Sequence, residues 1–317
     1  MNNHMIFLLS NSKDATCDFV HSELLNRKIP CFRLNTDFAP GSVEFNFSDN
    51  TAELYVNKIP LRSSEVCCVW NRRPEKIFAG NFSTSIFDEF YRKEWKSSIE
   101  SFLKLIPSDK WINHPQSNLA ASSKIEQLVV AKKNGLEVPD SLVTQSKKDF
   151  DFFYEKHSCR IITKPLSHGY LPDEECIYNI YTNSVDAKKH NFNNLKDCPT
   201  FFQQMINKEC DVRINFIDGY FEAFLLINKS NGTQQLDIRR DNMQNVQYKP
   251  ALIPKDIQIK LSSMLMNYGL RFAAIDMCIS KNGTWFFLEI NPNGQWAWLD
   301  ILGLTDFRSY FIKGMLA

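Results

Sequence analysis

Near the end of the chain, the stretch IDMCISKNGTWFFLEINPNGQWAWLD sets two acids and an amide among apolar residues. Asp276 sits inside one apolar run, Glu289 inside the next, and Asn291 follows two positions later. Residues two apart on a strand share a face, so Glu289 and Asn291 point the same way. Asn282-Gly283 between the runs is a hairpin signal. Paired strands joined there bring three oxygen-bearing side chains together, a hard-ligand set suited to Mg2+ shared with nucleotide phosphates. A pair of acids on opposite hairpin arms is common at water-facing edges. The apolar flanks and the E-x-N-P-N-G ending set this pair apart.

Upstream lie residues that handle phosphate. Lys164, in IITKPLSHGY, leaves an apolar strand just before a loop containing Gly169, where a cation reaches phosphate oxygens. Lys124 opens a helix after Ser122-Ser123, where a positive charge works against the helix dipole and points to a ligand or a local partner that offsets the cost. For either lysine alone a solvated surface charge is the better account; the case rests on their order relative to the acids. In TFFQQMINKECDVRINF, the strand end at Gln204, Met205 and Ile206 can offer backbone groups to an adenine edge, and Asp211 can accept from a ribose hydroxyl. Arg213 shares a strand face with Asp211. Arg239 and Arg240, in QLDIRRDN, suit phosphate or acyl-phosphate oxygens through their guanidinium forks, although a charged turn accounts for them as well.

The elements that must carry these residues begin with strand and helix signals in alternation. MIFLLS, then a helical spacing from Ala15 to Asn26, then CFRLN and VCCVWNRRP, predict a β-α-β order and a small, largely parallel sheet. Phe87, Phe90, Tyr91, Trp95, Ile99, Phe102 and Leu103 recur at helical intervals across Ser85 to Leu105, which predicts one helix with that stripe in a core. Trp111 to Pro115 reads as a domain boundary. Ser122-Ser123 caps a helix from Lys124 to about Asn134, and Gly135 stops it. VPDSLVT, IITKP, CIYNIYTN and TFFQQMI form a mixed middle region. DVRINFID, YFEAFLLIN, FAAIDMCIS and WFFLEINPN are strands of the last.

The composition narrows the function. With 317 residues the chain is long enough for two or three subdomains around a cleft. A formal charge of +1 argues against electrostatic nucleic-acid binding. No apolar run approaches a membrane span, and the N-terminal stretch lacks the marks of a signal peptide. The nine cysteines are scattered and form no CxxC pair, as expected of free thiols in a reducing cytoplasm rather than of a zinc site.

Taken in order, Lys124, Lys164, the FQQMI hinge, Asp211-x-Arg213, Arg239-Arg240, Asp276 and Glu289-x-Asn291 resemble the ATP-grasp superfamily over about residues 110 to 317. NPNGQWAWLD and VWNRRP are similar to the microviridin-type peptide maturases, or graspetide synthetases, and LDIR looks like that family's D-x-R element. The resemblance implies an α/β (α+β) fold. It places an N-terminal pre-grasp-like domain at 1–112, a central subdomain at 113–206 and a C-terminal subdomain with the metal site at 207–317. ATP lies between the last two. It implies ATP and Mg2+ as cofactors, with the metal on Asp276, Glu289 and Asn291. Lys124, Lys164, Gln204, Met205, Ile206, Asp211 and Arg239 would bind nucleotide, and Arg213 and Arg240 would stabilise the transferring group. Gln204 stands where many relatives have Glu, so backbone contacts to adenine survive and the side-chain contact is in doubt. The partner implied is a ribosomally made precursor peptide with leader and core, joined internally through Asp or Glu; a homodimer is left open. Two other readings remain: an ATP-grasp ligase adding amino acids to a protein tail or small molecule, and a non-catalytic peptide- or nucleotide-binding module.

Overall fold

The computed structural model describes residues 5–37, 43–48, 51–56, 59–74, 86–167, 169–172, 177–188, 192, 194–228 and 245–317. Arg239, Arg240 and the LDIR stretch lie outside the described residues.

The first half opens as the alternation predicts: β1 (Met5–Ser10), α1 (Ala15–Asn26) and β2 (Cys31–Asn35). Asp14 caps α1, accepting from the N–H groups of Thr16 and Cys17. An antiparallel meander follows, β3 (Val43–Ser48), β4 (Thr51–Val56) and β5 (Ile59–Arg62). Next, β6 (Val66–Asn71) lies parallel beside β1, and after α2 (Ile86–Lys104) the short β7 (Trp111–Ile112) lies parallel beside β6. The sheet order is β2-β1-β6-β7. Ile6, Phe7, Leu8 and Leu9 are all buried, as expected of a central strand covered on both faces.

The aromatic stripe on α2 departs from its expectation. Ile99 and Phe102 are buried and Trp95 and Leu103 pack beside them, but Phe87, Phe90 and Tyr91 are 71%, 56% and 49% exposed. Only the C-terminal half of the helix meets the core formed by Phe7, Leu54 and Val69.

The middle comprises α3 (Pro115–Ala120), α4 (Lys124–Lys133), β8 (Ser141–Thr144), α5 (Lys147–Lys156), β9 (Ile161–Thr163), β10 (Tyr170–Pro172), β11 (Ile177–Asn179), β12 (Asn183–Ser184) and β13 (Thr200–Gln204). Ser123 caps α4, and Gly135 follows it at φ +78°. A sheet ordered β12-β9-β13-β8 carries α5 and has its own core of Phe150, Phe153, Ile161 and Phe202.

The last part is a five-stranded antiparallel sheet, β16-β15-β14-β17-β18, built from β14 (Lys208–Ile217), β15 (Tyr220–Asn228), β16 (Val246–Ala251), β17 (Phe272–Ser280) and β18 (Trp285–Asn291). Between β16 and β17 runs α6 (Lys255–Tyr268); α7 (Ala297–Ile301) and α8 (Phe307–Leu316) end the chain's elements. Alternation divides the sheet's residues. Val212, Ile214, Phe216, Ile275 and Met277 pack with Leu261, Met264 and Leu265 of α6. On the opposite face, Ile217, Phe272 and Ala274 join Ile6, Leu8, Trp70 and Ile112 of the first sheet and Phe307 and Phe311 of α8. Further along that face stand Arg213 and Asp276.

Candidate active site

Asp276, Arg213 and Glu289 lie in one row across β17, β14 and β18, and Asn291 pairs with Ala274 in the next row. The register of β17 and β18 shifts between Asp276, which faces Glu289, and Met277, which faces Phe287. Leu288 is the extra residue of this bulge. Strict alternation would put Phe287 and Glu289 on one face; the bulge lets Phe287 enter the α6 core while Glu289 turns to the Asp276 side.

The side chains then meet. Asn291 Nδ2 donates to Asp276 Oδ2 at 3.2 Å and to Glu289 Oε1 at 3.1 Å. Arg213 Nη1 donates to Asp276 Oδ1 at 2.8 Å, and its Nη2 to the Gln295 carbonyl at 3.2 Å. Two carboxylates converging on one amide form a hard donor set. A half-turn of the Asn291 amide exchanges its nitrogen for oxygen, which gives three oxygen donors at one point. The set fits Mg2+. Among the described residues no group of three or more His, Cys, Asp and Glu side chains gathers as a rival metal site.

Lys124 and Lys164 meet at the loop after β9. The Lys124 ammonium donates to the carbonyls of Pro165 at 2.7 Å and Ser167 at 3.3 Å, the partner its position against the helix dipole calls for. Lys164 Nζ stands 5.6 Å from the centre of the Phe201 ring. Gly169 holds the loop close, since a Cβ there would come within 2.6 Å of the Ile180 carbonyl.

Where β13 leads into β14, Gln204 N–H donates to the Asp140 carbonyl at 2.8 Å and Met205 N–H to that of Arg160 at 3.0 Å. Gln204 Oε1 accepts from Asp140 N–H at 3.3 Å. These groups are therefore engaged within the protein, and the Ile206 carbonyl accepts from Lys208 N–H. Asp211 is held by Lys208 Nζ through both oxygens, at 2.8 and 2.6 Å. The structure thus joins Asp276, Glu289, Asn291 and Arg213 directly, brings Lys124 of α4 to the loop that Lys164 opens, and sets Gln204 at the end of β13 and Asp211 within β14.

The loop after Asn291 holds residues with no assigned role in the sequence reading. Gly294 lies against β17: a Cβ there would sit 2.3 Å from Ala274 Cβ and 3.2 Å from Asn291 Cβ. Arg72, wholly buried, donates to the Asn293 carbonyl, to the Gly294 carbonyl at 3.2 Å and to Gln295 Oε1 at 3.0 Å. Arg73 Nη2 reaches the Asn293 carbonyl at 3.1 Å. Arg72 Nε makes an ion-pair contact with Asp14 at 3.2 Å. Burial lowers the Arg72 pKa to about 10, against the opposing pull of Asp14. VWNRRP and NPNGQ, two separate motifs in the sequence, are here two sides of one contact.

No protein-family profile matches the chain, and no curated protein matches it in sequence. Solved structures do match. The macrocyclase MdnC of Microcystis aeruginosa MRC, bound with precursor peptide MdnA, is similar at a TM-score of 0.82 and 24% identity over 99% of each chain. A RiPP-associated ATP-grasp ligase of Chryseobacterium gregarium, in complex with ADP and a leader and core peptide, gives a TM-score of 0.83 and 24% identity over 98% of this chain and 95% of that one. The ATP-grasp ligase PsnB, complexed with minimal precursor, Mg and ADP, gives 0.69 and 16% over 99% and 98%. The chain has the ATP-grasp fold, of mixed α/β class.

Proposed function

We propose that this ATP-grasp chain is a peptide macrocyclase. It activates Asp or Glu side chains of a ribosomally made precursor peptide as acyl phosphates and closes intramolecular esters or amides. The observation that carries this reading is the contact of Asp276, Glu289, Asn291 and Arg213 on one sheet face. Support comes from a fold shared along its length with ligases bound to precursor peptides.

In this reading the nucleotide lies between the subdomains 113–206 and 207–317, with 1–112 as the pre-grasp domain. Asp276, Glu289 and Asn291 hold Mg2+, which when bound neutralises phosphate charge. Lys124 and Lys164 bring the loop after β9 to the phosphates, and Arg239 contacts the nucleotide. The connection from Gln204 to Ile206 takes the adenine, and Asp211, carried with Lys208, faces the ribose. Arg213, held by Asp276 and the Gln295 carbonyl, steadies the transferring phosphoryl group, with Arg240 as its companion. The peptide carboxylate attacks the terminal phosphorus and ADP leaves. A Ser, Thr or Lys side chain of the same peptide then attacks the acyl carbon, loses its proton and expels phosphate. The enzyme contributes position and charge, and no nucleophile of its own is needed. Burial pushes the Cys17 thiol up to about 11 and the Cys68 and Cys278 thiols to about 12, which suits them to a structural part. No described helix is long and apolar enough to cross a membrane, and we assign the reaction to the cytoplasm. A homodimer is a further part of the proposal, checked by light scattering.

Intact-mass spectrometry tests the reading. The enzyme is incubated with ATP, Mg2+ and any short Ser/Thr/Lys- and Asp/Glu-rich peptide that a neighbouring reading frame encodes. The expected product loses about 18 Da by stoichiometry for each bond closed. Mass gains matching added amino acids would instead identify a tail-adding ligase, and no ADP release would identify a binding module.

A further inference from the structure

The roles above leave Arg72 unused, yet burying a guanidinium entirely is costly without partners that hold it. Its partners lie in two places far apart in sequence. On one side is Asp14, whose Oδ1 caps α1 and whose Oδ2 accepts from the Ser10 hydroxyl at 3.0 Å. On the other are the Asn293 and Gly294 carbonyls and Gln295 Oε1, the last also accepting from the Thr16 hydroxyl.

That loop is not a remote surface. Gly294 N–H donates to the Asn291 carbonyl at 3.0 Å, and the Gln295 carbonyl accepts the arm of Arg213 whose other arm holds Asp276. A continuous series of contacts therefore runs from the start of α1 to the metal-type trio: Asp14, Arg72, the loop 293–295, Arg213, Asp276. We infer that Arg72 is a positioning residue for this trio. Contributed by the first sheet, it fixes the loop that sets Arg213 and Asn291, and so the approach of the donor oxygens to the cation. The inference rests on the metal-nucleotide reading given above. It differs from a purely structural role, in which Arg72 joins two parts of the molecule and the donor set is indifferent to it.

The test uses the full-length protein and a fluorescent non-hydrolysable ATP analogue, titrated with Mg2+ and also bound without metal. Gln295→Met removes one acceptor at an exposed position and leaves Arg72 itself in place. Arg72→Lys keeps the charge opposite Asp14 but loses the fork, and Arg72→Met loses both. The expected result for Gln295→Met and Arg72→Lys is a Mg2+ half-saturation raised about tenfold, with metal-free analogue affinity within about twofold of wild type. Arg72→Met, where it folds, exceeds Arg72→Lys. An unchanged Mg2+ requirement in Gln295→Met and Arg72→Lys, with or without a lower melting temperature, overturns the positioning role and leaves the site reading standing. Wild-type protein that binds no Mg2+-analogue complex overturns the site reading and the inference with it.

Discussion

Glu289 is the residue whose position depends most on a local irregularity. The bulge at Leu288 brings its carboxylate to Asp276, and Asn291 bridges both. Glu289→Gln keeps the size of the side chain and removes one charge from a hard-cation site. It is expected to lower Mg2+-dependent ADP formation by more than about a hundredfold, with a melting temperature close to wild type. Normal turnover in this variant would remove Glu289 from the site. A second carboxylate invites a different measurement. Burial pushes the Glu222 pKa upward, a shift eased by the Thr305 hydroxyl and reinforced by Asp300 and Asp306; Asp300 is raised by its own burial. A raised folded pKa favours the protonated form, so this group's stabilising share is complete below its unfolded value near 4.5 and is lost as pH rises through the folded value. At neutral pH the ionised group therefore costs stability. Glu222→Gln is expected to raise the melting temperature at pH 7 by about 1–2 °C, allowing for its partial exposure, and the gain should vanish near pH 4. Scanning fluorimetry across that range checks both the sign and the window.

At the scale of elements, the loop from Pro292 to Gln295 joins the strand that carries Glu289 and Asn291 to the rest of the molecule. Its glycine is required by closeness rather than by backbone angle, because any Cβ at 294 collides with Ala274 and presses on Asn291. Gly294→Ala is expected to cut ADP formation at least about tenfold by shifting the loop from β17, with circular dichroism retained. Full activity would show that the loop yields without moving the trio. Here too lies the boundary of what the sequence reveals. The hairpin of β17 and β18 was readable because Asn282-Gly283 marks the turn and Asp276 interrupts an apolar run. The bulge was not, since Trp285 to Asn291 alternates plausibly without one and only the competing demand of the α6 core on Phe287 exposes it. The stripe on α2 misleads for a related reason: periodicity reports that a face is apolar, not how far along the helix a partner extends. The Lys124 dipole argument left a ligand and a local partner open, and the carbonyls of Pro165 and Ser167 are a local one. Arg72 carried a motif but no target, because its target is a loop of more than two hundred residues' separation. Pro254 and Gly269 bracket α6 with readable signals; its mixed polar face concealed the stripe of Ile257, Leu261, Met264 and Leu265.

Across the whole molecule, the stretch from Trp111 to Pro115, expected as a domain boundary, holds a joint between distant parts of the chain. The Asn113 side chain is buried, donates to the Phe272 and Pro292 carbonyls at 2.8 and 3.1 Å, and accepts from the N–H groups of Arg271 and Phe272 at 2.8 and 2.9 Å. Asn113→Ala strands these groups and is expected to cost about 2–5 kcal/mol, from about 1–3 for each buried group left unpaired. Chemical denaturation measures it; a loss under about 1 kcal/mol would mean that water replaces the amide. The same joint lies beside a core shared by β1, β6 and α8, in which the Trp70 and Phe311 rings stand 4.8 Å apart. This pairing has a consequence for how the protein comes into being. Trp70 leaves the ribosome about 240 residues before Phe311, which at roughly 5–20 residues per second is a wait on the order of 10–50 s. Through that interval Ile6, Leu8 and Trp70 of the earliest-made sheet lack the α8 residues that cover them in the folded chain.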